Sequence, residues 1–91
     1  MKTKYVTGVS VLDLGTKHPF VANNTIVVVN PNTSSARTLQ FGAASTGPFA
    51  TGAQPDGTAA IVPAGGSIEV VVGGRYAALE GGAGTLILLA E

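Results

Sequence analysis

An all-β fold is what this sequence predicts: a single antiparallel β-sandwich of seven to eight short strands, in a jelly-roll or other Greek-key arrangement. Three observations carry the prediction. Short runs rich in Val, Ile, Thr and Tyr recur along the chain, the residue types that suit a pleated, half-buried surface. Glycine pairs at 65–66, 73–74 and 81–82 interrupt the last third at eight-residue intervals, which leaves room only for short strands between sharp reversals. No proline-free stretch carries a helical period.

The stretch 58–90 is the organiser, read as four strands over 58–62, 67–72, 75–80 and 85–90 joined by three tight turns. Pro63 lacks an N–H and suits a strand end, and Gly65 or Gly66 can take the positive φ of a reversal. The period of two in 67–72 sets Ile68, Val70 and Val72 inward and Ser67, Glu69 and Val71 outward. Gly81–Gly84 is read as a hairpin turn, because no Lys-Ser/Thr pair or helix follows to make it a phosphate loop.

From the N-terminus, residues 1–4 are polar and charged and read as a loose arm, so 1–8 is either a flexible arm or an edge strand. Residues 5–14 read as a strand with a bulge near Gly8 or Ser10, and 18–22 as a short edge strand marked by Pro19. Asn23-Asn24 is a turn, and 25–30 is the strongest strand of the first half, ended by Asn30-Pro31-Asn32. Residues 37–41 alternate, with Leu39 and Phe41 inward and Thr38 and Gln40 in water. The stretch 42–57 dissolves into Ala, Ser, Thr, Gly and Pro and reads as one long loop. Its Phe49 either plugs one end of the core or reaches a neighbour.

Three runs break the alternation: Ile26 to Val29, Val70 to Val72 and Leu86 to Leu89. An antiparallel sheet normally keeps one face wet, so such runs imply cover on both sides, by a loop, a second sheet or another subunit. Charge points the same way. Only 11% of residues are charged, against about 25% in an ordinary soluble domain, and they cancel to zero. A chain with so little charge is poorly protected against association, so an oligomer is expected. The candidate assembly-interface residues are Tyr5 and Val6 near the N-terminus, Phe49 in the long loop, and Val71 in the valine run.

The residues offer no catalytic constellation, and an enzyme is not expected. His18 is the single histidine, with no nucleophile-elbow pattern and too few ligands for a cupin-type metal. No cysteine is present, so neither a disulfide framework nor a thiolate site is expected, and no cofactor is implied. Lys2, Lys4, Lys17, Arg37 and Arg75 lie scattered along the sequence, which speaks against nucleic-acid binding. No run reaches membrane-spanning length, and the first fifteen residues lack the apolar core of a secretory signal.

The runs TIVVVNPNTSSARTLQFG and IVPAGGSIEVVVGGRYAALEGGAGTLILL resemble the small β-sandwich virion proteins of tailed bacteriophages, especially capsid decoration (cement) proteins. The likeness spans about two thirds of the chain and lies in texture: valine-rich short strands, Gly/Thr/Ala loops, few charges and no cysteine. It implies a structural protein made in the host cytoplasm and carried on the virion. Such a protein binds the lattice of the major capsid protein, often as a trimer, and reinforces the head. A tail, fibre or glycan-binding β-sandwich is the alternative. If the N-terminal arm is the tether, removing residues 1–8 should abolish docking and leave the fold.

Overall fold

The computed structural model describes residues 1–49 and 59–91. The predicted strand at 58–62 and the long loop at 42–57 are therefore seen in part, and 50–58 lie outside the described residues. Among the described residues eight strands follow one another: β1 (Lys2–Thr7), β2 (Leu12–Asp13), β3 (Thr25–Val29), β4 (Arg37–Gly42), β5 (Ala59–Val62), β6 (Ser67–Val71), β7 (Tyr76–Leu79) and β8 (Thr85–Ala90). They form two four-stranded antiparallel sheets, ordered β1-β8-β3-β6 and β2-β7-β4-β5.

The pairing has a simple logic. First meets last, second meets seventh, third meets sixth and fourth meets fifth. The additional pairs β3·β8 and β4·β7 close each sheet. This is one long antiparallel hairpin rolled over itself, the jelly-roll arrangement expected from the sequence. Only β4 and β5 are both consecutive and paired, so every other connection carries the chain from one sheet to the other.

That crossing corrects one expectation. The glycine reversals are present, with Gly65 at φ 66° and Gly66 N–H donating to the Pro63 carbonyl at 3.0 Å. Yet none is a hairpin turn, including Gly81–Gly84: β5, β6, β7 and β8 lie in alternate sheets. A 3₁₀ turn at Glu80–Gly82, with Gly81 at φ 76°, swings the chain across.

Three further expectations change near the N-terminus. Residues 2–4 are not a loose arm but part of β1, paired along its whole length with β8, from Lys2 opposite Ala90 to Thr7 opposite Thr85. Backbone pairing needs no apolar side chains, and lysines are common guards on such an edge. The predicted bulged strand at 5–14 is two strands in different sheets, broken at Gly8, which has φ 59°. Residues 18–22 are not an edge strand: the segment loops over one end of the sandwich. It is held there by the bonds Leu14 N–H to Arg75 O, Asn23 N–H to Val72 O and Val72 N–H to Asn24 O. Leu14, just before this segment, and Phe20 within it are buried and complete the core.

The core lies between the sheets and is built from the inward alternation of each strand. Val6, Ile26, Val28, Val70, Leu86 and Leu88 come from one sheet, and Leu39, Phe41, Val62, Ala77 and Leu79 from the other. Asn30 is the buried polar residue among them, at 1% exposure. Its Nδ2 donates to the carbonyls of Ser35 at 2.9 Å and Val62 at 3.2 Å, and its Oδ1 accepts from Asn32 N–H at 3.0 Å. The end of β3 is thereby fastened to β5 in the opposite sheet.

Candidate functional site

With the inward residues accounted for, the register places every outward side chain. On sheet β1-β8-β3-β6, Tyr5 stands opposite Ile87, Ile87 opposite Val29, and Val29 opposite Ser67. The next row runs Thr3, Leu89, Val27, Glu69, and beyond it Thr25 faces Val71. Six large side chains, Tyr5, Val27, Val29, Val71, Ile87 and Leu89, thus share one outer face, each on a strand whose alternate residues fill the core. Tyr5 is 60% exposed, Val71 44% and Val27 37%, while Val29, Ile87 and Leu89 are half-buried by their neighbours. Threonines and Ser67 rim the patch, and Glu69 is the charged residue on it.

The other sheet presents a different surface. Asp13, Tyr76, Ala78, Gln40 and Thr38 occupy its outward positions, with Ile61 on the edge strand β5 as the large aliphatic residue there. One face is therefore apolar across its central strands and the other is polar or small. A contiguous apolar patch with a polar rim is the usual anatomy of a protein contact surface. Its centre spans four strands spaced about 4.8 Å apart and about five residues at 3.3 Å, roughly 14 by 17 Å in projection. Against about 800 Å² per partner in a standard interface, that is the core of a contact whose rim must supply the remainder.

The four expected interface residues fall in three places. Tyr5 and Val71 are on the apolar face. Val6 is not: at 1% exposure it is buried between the sheets, because Tyr5 and Val6 are adjacent on a strand and must point opposite ways. Phe49 is half-buried, its ring close over the backbone of Gly42 and Gly47, so it covers its own loop at the end of β4. Val27, Val29, Ile87 and Leu89, not singled out individually from sequence, are the outward members of the runs that lacked alternation.

The charged residues are also rearranged by folding. Lys2, Lys4, Lys17 and Arg75, four of the five basic residues, line one hollow of about 400 Å³ together with Leu14, Pro19 and Phe20. The expectation of scattered cations is corrected, because β1, the 14–24 loop and the start of β7 converge there. Lys4 Nζ lies 5.4 Å from the centre of the Phe20 ring. Arg75 holds Asp13 by two bonds, Nε to Oδ1 at 2.8 Å and Nη2 to Oδ2 at 3.0 Å. Those bonds, followed by one from Gly15 N–H, hold the Asp13 carboxyl below its ordinary value.

Among the described residues, no group of three or more His, Asp or Glu side chains is placed to hold a metal ion. His18 stands at the junction of this hollow and a second one of about 340 Å³ at the Thr25 and Leu89 end of the apolar face, which Glu69 and Glu91 border. No family model, curated protein or solved structure matches the chain significantly.

Proposed function

We propose that this chain is a non-enzymatic structural subunit that works in an assembly, docking through the outer face of sheet β1-β8-β3-β6. The observation that carries the reading is the contrast between the two outer faces: Val27, Val29, Ile87 and Leu89 on one, Thr38, Gln40 and Asp13 on the other. Water on both faces would favour the second pattern on both, since antiparallel sheets alternate when one side is wet. The sparse charge supports the same conclusion.

Its more particular form is a capsid decoration protein, a homo-oligomer, trimeric by preference, bound to a phage head lattice. The textural resemblance of residues 25–90 to such proteins supports this, and the jelly roll is a scaffold used in viral capsids. That fold also serves lectins and cupins, so the face, not the fold, carries the argument. Apolar burial would drive docking, and repetition over a lattice would multiply a modest single contact. Co-sedimentation with phage heads lacking their decoration tests it. Saturable binding that Val27→Lys abolishes is expected, and absence of binding, or binding indifferent to Val27→Lys, contradicts it.

A further inference from the structure

The hollow between β1 and the 14–24 loop has a charge that the sequence conceals. Lys2, Lys4, Lys17 and Arg75 line it and, among the described residues, no acidic one does, although the whole chain has net charge zero. Asp13 borders the hollow but is taken up by Arg75, while Glu69 and Glu91 stand around the neighbouring hollow and Glu80 beyond β7. With Asp13 matched to Arg75, the three lysines leave the hollow with an excess of positive charge that the zero net charge of the chain hides.

We infer that this hollow is a second binding site, for a carboxylate-rich segment of a partner protein. The inference stands on the distribution of charge and not on the apolar face, so a monomeric chain tests it equally well. Three features select the ligand. Arg75, the one guanidinium there, already commits its planar fork to Asp13, so the group best matched to phosphate is occupied. Among the described residues Lys2, Lys4 and Lys17 form no salt bridge, Lys4 feeling Asp13 only at longer range, so they offer three ammonium groups to a ligand. The aromatic ring at the site, Phe20, is buried beneath Lys4, so no exposed ring is offered for a nucleic-acid base to stack on. Three lysines over a floor of Leu14, Pro19 and Phe20, in about 400 Å³, suit a few acidic side chains on an extended peptide.

The test is an amide-resonance titration of the ¹⁵N-labelled chain with a hexaglutamate peptide, at about 20 and about 200 mM salt. Shifts confined to residues 2–4, 14–20 and 75, with weaker binding at high salt, are expected. Changing each lysine to Gln should weaken binding about two- to five-fold, and the Lys2→Gln/Lys4→Gln/Lys17→Gln variant about ten- to a hundred-fold. Because Lys4 packs on Phe20, Lys17→Gln alone, on the loop, keeps the test sound should the triple variant fold poorly. Absence of binding, shifts spread elsewhere, or an affinity unmoved by Lys17→Gln and the triple variant would overturn the inference. Tighter binding of pyrophosphate or a short oligothymidylate at the same resonances would overturn it too, by assigning the hollow to phosphate.

Discussion

Replacing Asn30 by alanine should cost more than replacing any of the exposed polar residues in the loops of this chain. The side chain makes three bonds, two donated to the carbonyls of Ser35 and Val62 and one accepted from Asn32 N–H. Each contributes about 0.5–1.5 kcal/mol net, and the Val62 carbonyl, on a buried residue, would lose a donor, so the total is about 2–4 kcal/mol. That is a large share of the roughly 5–15 kcal/mol available to a small domain. With a urea slope of about 1–3 kcal/mol per molar, the midpoint should fall by about 0.7–4 M. Urea unfolding followed by far-ultraviolet circular dichroism measures it. Asn32→Ala is the internal control: its Oδ1 accepts from Ser34 and Ser35 N–H in an exposed loop, and its loss should cost under about 1 kcal/mol. A midpoint for Asn30→Ala equal to that of Asn32→Ala would refute the view that Asn30 fastens the two sheets.

Three other outcomes follow from the same geometry. Leu88→Ala should destabilise by about 2–5 kcal/mol, whereas Leu89→Thr, one residue along and facing outward, should leave the protomer within about 1 kcal/mol of wild type, as thermal unfolding of dilute protein will show. Deleting residues 1–8 should not yield a folded, tetherless protein: it uncovers β8 and removes buried Val6, so loss of cooperative unfolding is expected and an unchanged transition would contradict it. The folded-state pKa of Asp13 is depressed, chiefly by Arg75, so its contribution is present above the ordinary carboxyl value of 3.8 and lost as pH falls through the folded value. Melting curves of wild type and Asp13→Asn should therefore differ by a constant amount near neutrality and converge in acid below 3.8, and curves that stay parallel there would contradict the assignment.

Much of the fold was legible because side-chain type and alternation act locally. Residues 25–29, 37–42, 67–71 and 85–90 are strands within one residue of where the sequence placed them, and Leu39, Phe41, Val70 and Val72 are buried as their period required. What local signals omit is direction. A glycine pair marks a reversal but not whether the chain returns in its own sheet or crosses to the other, and at 63–66, 73–74 and 81–84 it crosses. Lys2 and Lys4 concealed β1, because an edge strand is held by backbone bonds to β8 and not by greasy side chains. The apolar face was half visible: runs without alternation announced cover on two sides, but only register shows that Tyr5, Ile87 and Val29 form one row. The lysine hollow was invisible, since residues 2, 4, 17 and 75 are joined only by topology. Asn30 read as a turn former, and its inter-sheet bonds depend on Val62, distant in sequence.

The most direct measurement of the central claim is light scattering of the wild-type chain beside Val27→Lys and Leu89→Lys at micromolar concentration. Both positions face outward on sheet β1-β8-β3-β6, so neither change disturbs the core. An oligomeric wild type and monomeric variants with unaltered circular dichroism are the predicted result. A wild type that stays monomeric, or variants that assemble as well as it does, would show that this face is not where the subunits meet.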